Sequence, residues 1–454
     1  MAAAFGRRAA FVARVVACCG LALLTACAAT ASPQPPPPLD DGKPLVVASG
    51  ADLTTSTGDG IRARLIAQWN AQPGHRKAKL VELPDAADDQ RSELVGALQS
   101  GTADYDVVNL DITWVPEFAD SGLIRALPAS MVGSDFLPQA AATGRWKGRT
   151  YAVPFNSDVG LLYYRTAGLT AASKTPADLA RYRSVGDLLA DVRPVGRFAY
   201  ATQLRAYEGL TVNTLEAFWN AGVNLVSAGG RYTGSVGGLV AGLDELARLQ
   251  VGEATTPDSL DADETASLEE FEQGGSVLLR SWPYAFDRLD ASLDPSVGFG
   301  VARLPGYAAL GGQSLAVAAT SAHPSDAQAL IRFLTDPASE RQLLAAGFAA
   351  SRTSVYGMAG VDCATDPAAR YYDRPVRGAP EPSASSPSAS GRPGYTAVLW
   401  CALQQARARP ATAHYVTFSG VLQREVHRFL TRRTSAQQTA ATLQAELGRA
   451  LGGR

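Results

Sequence analysis

Trp282-Pro283-Tyr284 sets two aromatic rings around a proline directly after the apolar run Val277–Arg280. That run reads as a strand, and open α/β sheets bind ligands at the carboxyl ends of their strands. Rings placed there stack on the flat C–H faces of a ligand; core packing, the fate of most tryptophans, is the competing reading. Asp111 follows the strand-like Tyr105–Leu110, and the turn Asn156-Ser157-Asp158 follows Tyr151–Phe155. Such side chains cap helix N-termini or, in a dry cleft, make charge-assisted hydrogen bonds to a ligand. Glu264 lies in an acidic run eighteen positions before Trp282, where a solvated helix start is equally consistent. Arg352 sits in a Ser-Arg-Thr-Ser turn, where a lone arginine commonly bridges a surface carboxylate. Gly311-Gly312 opens a strand and permits close backbone approach, or simply turns the chain. Glu208-Gly209 either lines a cleft or starts a helix, and the loop Ser49–Asp59 offers Asp52 as a further polar group. His75, His323, His414 and His427 are far apart, and no metal-ligand spacing or Ser/His/Asp signature appears. The available chemistry is stacking and hydrogen bonding, so no catalytic group, cofactor or metal is expected.

The elements that must carry these groups alternate. Short strands at Leu45–Ala48, Leu80–Leu83 and Tyr105–Leu110 are separated by helical patterns at Ile61–Asn70 and Asp88–Leu98. Strands at Tyr151–Phe155, Val277–Arg280, Val297–Val301 and Ser314–Ala319 follow, with helices at Ser184–Asp191, Thr211–Ala221, Leu239–Leu249, Ser325–Leu334 and Ser339–Ala346. Two long helices, Val421–Leu430 and Gln437–Leu451, close the chain. This alternation predicts an α/β body with a largely parallel sheet. No internal repeat is visible.

Residues 1–26 carry Arg7, Arg8 and Arg14, then an apolar run ending Leu24-Thr25-Ala26 just before Cys27. That is a basic region, an apolar region and small residues at a cleavage point, which predicts a removed signal segment. Leu-Thr-Ala-Cys resembles the bacterial lipobox, whose cysteine becomes acylated. Gly6 precedes Arg7-Arg8 and the rest of a twin-arginine motif is missing, so the export route stays open. Residues 28–44, with prolines at 36–38 and around them, read as an extended tether. No later segment approaches 18 consecutive apolar residues, so only a lipid would hold the body to a membrane. Removing the three arginines of the signal takes 41 basic residues to 38 against 43 acidic ones, and no basic stripe argues for nucleic acid. With Cys27 acylated, Cys363 and Cys401 remain as a pair in an oxidising compartment; a bridge or two buried thiols would satisfy the sequence, and the bridge is favoured. It would close a loop around the low-complexity stretch 379–394.

Several blocks together resemble the family-1 extracellular solute-binding proteins of ABC importers: DYDVVNLDITWVPEFADSGLI (104–124), YAVPFNSDVGLLYYR (151–165), FEQGGSVLLRSWPYAF (271–286), GGQSLAVAATSAHPSDAQALIRFLTD (311–336), AAGFAASRTSVY (345–356) and RPATAHYVTFSGVLQREVHRFL (409–430). ELPDAADDQR (82–91), AYEGLTVNTLEAFW (206–219) and DETASLEEFEQG (263–274) look most like the trehalose/maltose-binding branch. The insertion at 379–394 departs from the usual pattern.

The resemblance implies two α/β lobes of periplasmic-binding-protein type, joined by a hinge of two or three crossover strands with the ligand between them. Lobe one would take 45–156 and 308–356, and lobe two 157–307 and 357–454. It implies that Trp282 stacks on sugar and that Asp111, Asp158, Glu264 and Arg352 contact it; Tyr284, Asn156, Glu208, Gly311 and Gly312 are further candidates for the lining on their own positions. Trp69, Trp114 and Trp219 read as packing. The partners implied are a di- or oligosaccharide and the permease subunits, with the protein a monomer, lipid-anchored at Cys27 on the outer face of the cytoplasmic membrane. A receptor for a non-sugar solute and a glycoside hydrolase are the competing classes; a hydrolase needs two carboxyls flanking one bond at fixed separation, for which there is no signature. Cys27→Ser is expected to leave the protein unprocessed or free in the medium. Acylated, mature-size Cys27→Ser protein in the membrane fraction would rule the anchor out.

Overall fold

The strand Leu45–Gly50 is buried along its whole length, and its side chains serve two cores. Leu45 and Val47 pack in one apolar cluster with Ile61, Leu65 and Trp69, while Val46 and Ala48 pack in another with Leu94, Leu98 and Phe118. Successive strand side chains point to opposite faces, so a continuous apolar run is what a strand covered by helices on both sides requires. The computed structural model describes residues 41–50, 60–84, 86–101, 104–192, 200–358, 360–375 and 393–452. The signal, Cys27, nearly all of the tether, Asp52 and residues 379–392 of the insertion lie outside them.

The first sheet has seven strands, ordered Ala349–Ala350, Ala152–Val159, Ala309–Val317, Val107–Asp111, Leu45–Gly50 and Ala78–Leu83, with Arg407–Ala408 beside Ala309–Val317. The second has five: Tyr371–Asp373, Phe299–Arg303, Leu161–Arg165, Leu278–Ser281 and Tyr200–Ala201. A third apolar cluster fills the second lobe and takes in the terminal helices Tyr415–Leu430 and Ala436–Leu451. The helix Glu208–Asn220 runs through its centre, buried from Gly209 to Trp219. Among the described residues no helix is long and apolar enough to cross a membrane.

Neither sheet is largely parallel, contrary to the sequence reading. Leu45–Gly50 pairs parallel with both neighbours, but Ala309–Val317 runs antiparallel to Val107–Asp111 and to Ala152–Val159. In the second sheet only Tyr200–Ala201 runs parallel to its neighbour. The physical reason is connectivity. The chain leaves the first sheet through Gly160, between Ala152–Val159 and Leu161–Arg165, and returns from Phe299–Arg303 into Ala309–Val317, so outbound and inbound strands lie side by side in opposite senses. Asn156–Asp158, expected as a turn, is therefore strand, paired on both sides with Gly311–Gln313 and Ala349–Ala350. Gly311 and Gly312 lie inside the strand they were expected to open. The architecture is two α/β lobes joined by crossing segments, with a cleft between them.

Cys363, in the loop between the strands Ala349–Ala350 and Tyr371–Asp373, is bridged to the fully buried Cys401 of the helix Pro393–Gln405, their Cα atoms 5.3 Å apart. The bridge closes a 38-residue step that includes the low-complexity stretch. Cross-linking a loop of that size removes denatured-state entropy equivalent to about 4 kcal/mol. Thiol labelling of unreduced, denatured protein should find neither cysteine free, and reduction should lower the Tm. Full labelling of both would refute the bridge.

Candidate functional site

A cleft of about 1420 Å³ opens between the lobes. Asp111, Trp114, Asp158, Gly311 and Gly312 line it from the first lobe, and Tyr207, Glu208, Glu264, Trp282 and Tyr284 from the second. The second-lobe wall is built on Trp282, the residue after the buried strand Leu278–Ser281 and just before the helix Tyr284–Ser292. Its indole Nε1 donates to Glu264 Oε1 at 3.3 Å, and the Tyr207 hydroxyl donates to Glu264 Oε2 at 2.7 Å. Burial pushes the Tyr207 hydroxyl well above its ordinary pKa range, so it stays protonated as a donor. Glu264 opens its helix because Asp263 caps it, accepting from the Ala266 backbone N–H at 3.0 Å. The Arg280 guanidinium lies 4.0 Å from the centroid of the Trp282 ring. Gly311 makes room for that ring, since a Cβ there would come within 3.2 Å of Trp282 Cζ3.

Asp111 ends the strand Val107–Asp111 and accepts from the Thr113 backbone N–H at 2.8 Å, so it also fixes its own turn. Arg409 then joins it to the second lobe. Its Nη2 donates to both carboxylate oxygens of Asp111 at 3.0 and 2.9 Å, and its Nη1 to Glu208 Oε1 at 2.7 Å. Glu208 also accepts from the hydroxyls of Tyr415 at 2.5 Å and Ser419 at 2.6 Å. The guanidinium side chain is only 3% exposed. Burial works against its charge, but Asp111, Tyr415 and Glu208 outweigh it and hold the group well above its ordinary range. Burial raises the Glu208 carboxyl.

The profile of the bacterial extracellular solute-binding proteins matches residues 65–370. The chain belongs to that family. A probable ABC transporter-binding protein of Deinococcus radiodurans is 28% identical over 406 residues, covering 85% of this chain and 89% of that one. The maltose-bound MalE3 of T. maritima is 25% identical with a TM-score of 0.72, over 90% of this chain and 99% of that one. The GacH receptor of Streptomyces glaucescens, solved unliganded and with acarbose, shares the fold at 20% identity and a TM-score of 0.71, over 90% and 99% of the two chains.

In this solute-binding protein the structure brings Asp111, Asp158, Glu208, Glu264, Trp282, Tyr284, Gly311 and Gly312 to one cleft, and leaves two of the sequence candidates outside its lining. Asn156 is 2% exposed and donates from Nδ2 to Asp158 Oδ2 at 3.3 Å, placing it beneath that carboxylate. Arg352 faces its own lobe. Its guanidinium lies 4.1 Å from the Phe136 ring centroid, pairs with Asp135 at 3.3 Å and donates to the Thr335 carbonyl. Asp135 also accepts from Thr353 and Ser354, so the Ser-Arg-Thr-Ser turn is clasped by one carboxylate of the first lobe. Gly312 is required by its backbone: φ is +107°, and a Cβ would meet the Asn156 carbonyl oxygen at 2.3 Å. Trp114, read from sequence as packing, lines the cleft while 6% exposed. Arg409 was missed; it opens the block RPATAHY, and only its place among apolar neighbours marked it.

Arg409→Met removes the cation shared by two carboxylates that are 22% and 19% exposed. Breaking a buried pair costs about 3–5 kcal/mol, and partial exposure of the carboxylates places this change near the lower end, about 3 kcal/mol. Without the guanidinium, nothing offsets the burial that already raises the Glu208 carboxyl, so the folded state would bind that proton still more tightly than the unfolded chain. The deficit against wild type should therefore be largest near neutral pH and narrow as pH falls through the carboxylate range. Denaturant unfolding at several pH values checks it; a deficit independent of pH would contradict the carboxylate account.

Proposed function

We propose that this protein is the extracytoplasmic receptor of an ABC importer, binding a di- or oligosaccharide of trehalose or maltose type between its lobes and presenting it to the permease. Acylated Cys27 would tether it to the outer face of the cytoplasmic membrane. The observation that carries the reading is that one cleft is lined both by the Trp282 ring with Glu264 beside it and by the hydrogen-bonded cluster of Asp111, Arg409 and Glu208. A neutral saccharide offers C–H faces that stack on an indole and hydroxyls that bond strongly to charged planar groups. The cleft volume exceeds that of a typical single-ligand pocket, which suits more than one sugar ring. The relatives' own ligands, maltose for the T. maritima protein and acarbose for GacH, support the same class. The work is binding and closure, with no bond made or broken.

The charge balance favours one second reading. The described lining holds nine carboxylates against three guanidinium groups, which disfavours anionic solutes and suits a cationic one such as a polyamine. A thermal-shift screen of disaccharides and polyamines separates the two, because a solute at a hundred times its Kd adds about 2.7 kcal/mol of stability. Stabilisation by a polyamine and by no sugar would sink the saccharide reading. Given a sugar hit, Trp282→Ala should weaken it about thirtyfold by calorimetry, roughly 2 kcal/mol, with the fold intact. Arg352→Ala should lower the Tm and leave the affinity unchanged. Wild-type affinity in Trp282→Ala would mean that the sugar lies elsewhere.

A further inference from the structure

Behind the Trp282 ring lies a buried ion pair. The side chains of Arg280 and Glu216 are 1% and 7% exposed, and Arg280 Nη2 donates to Glu216 Oε1 at 2.8 Å. Glu216 comes from the central helix of the second lobe and Arg280 from the strand that ends at the ring. Desolvating two charges is costly, and a well-packed apolar pair of the same volume is commonly at least as stable. Fold stability therefore gives little reason for this pair, and its neighbours give a better one.

Both of the first two crossings between the lobes touch it. The Ala309 backbone N–H, at the start of the returning strand Ala309–Val317, donates to Glu216 Oε1 at 2.9 Å. Gly160, the single residue between the outbound strands, donates to the Ala309 carbonyl at 3.4 Å. A Cβ on Gly160 would stand 2.8 Å from Glu216 Oε1 and 2.9 Å from Arg280 Nη2, so the outbound crossing passes directly against the pair. On its other side the buried Arg280 guanidinium lies 4.0 Å from the Trp282 ring centroid, a cation–π contact that burial of the cation strengthens. One charged pair thus touches the outbound crossing, the inbound crossing and the aromatic platform.

We propose that Arg280 and Glu216 are positioning residues that fix the plane of the Trp282 ring relative to the two crossing segments, so that lobe rotation and the stacking platform move as one unit. This rests on the reading of the cleft as a saccharide site, but the positioning itself can be tested without sugar. The protein has six tryptophans; it is labelled with 5-fluorotryptophan, and the Trp282 line in the ¹⁹F spectrum is assigned from Trp282→Phe. Glu216→Gln keeps an acceptor for the Ala309 N–H and removes the charge that holds Arg280. Gly160→Ala keeps both charges and pushes a methyl into the pair from the crossing, without touching the ring. Each should shift or broaden the Trp282 line in sugar-free protein, and each should raise the Kd for maltose or trehalose about tenfold. Asp135→Asn, which removes the first-lobe pair to Arg352, should cost stability and leave the Trp282 line in place. A Trp282 line coincident with wild type in Gly160→Ala, or in a folded Glu216→Gln, overturns the proposal. If the line moves but wild-type protein binds no sugar, the positioning stands and the saccharide reading falls.

Discussion

One guanidinium, shared by carboxylates from two lobes, organises this molecule. Arg409 is almost wholly buried, and in a site of low dielectric an unpaired cation would be prohibitive. It therefore requires Asp111 at the end of a first-lobe strand and Glu208 at the start of a second-lobe helix to approach within hydrogen-bonding distance. The hydroxyls of Tyr415 and Ser419 complete the shell of Glu208, which draws the helix Tyr415–Leu430 onto the same point. The cluster thus joins one cation, two carboxylates and two hydroxyls, and its members come from four separate segments of the chain.

The walls obey a different constraint, close approach. Gly312 holds a φ of +107° where any side chain would strike the Asn156 carbonyl, and Gly311 yields its space to the edge of the Trp282 ring. Gly160 does the same for the buried Arg280–Glu216 pair. The crossing strands can pass beside the platform and the ion pair only because these positions lack a Cβ. Glycine here sets distances between lobes, which is a tertiary requirement placed on single residues.

The polar groups of the cleft are held before any solute arrives. Glu264 is fixed by the indole of Trp282 and the hydroxyl of Tyr207, and Asp158 lies over Asn156. A solute binds weakly to groups that must first be ordered, because each immobilised side chain costs entropy at that moment. Side chains fixed by their neighbours avoid that cost, and carboxylates outnumber guanidinium groups in the described lining.

Much of this was legible in the order of residue types. Apolar runs of strand length, each followed by a turn with a polar or aromatic residue, placed Asp111 and Trp282 at strand ends where a cleft forms, because burial on both faces imposes a pattern that survives in one dimension. Strand direction did not survive. It follows from which segments cross between lobes, and that is why a mixed pair of sheets replaced the expected parallel one. Arg409 and Arg352 show the same limit for charge. Both are arginines in turns, yet one finds partners 298 and 201 residues away across the cleft, while the other is taken by Asp135 within its own lobe. A guanidinium's partner is set by which carboxylates the fold brings within about 3 Å, and no local sequence pattern carries that distance. The sequence by itself determined the alternating elements, the aromatic platform and the chemistry on offer; only the tertiary structure decided which charges meet, because that depends on the path of the chain between the lobes.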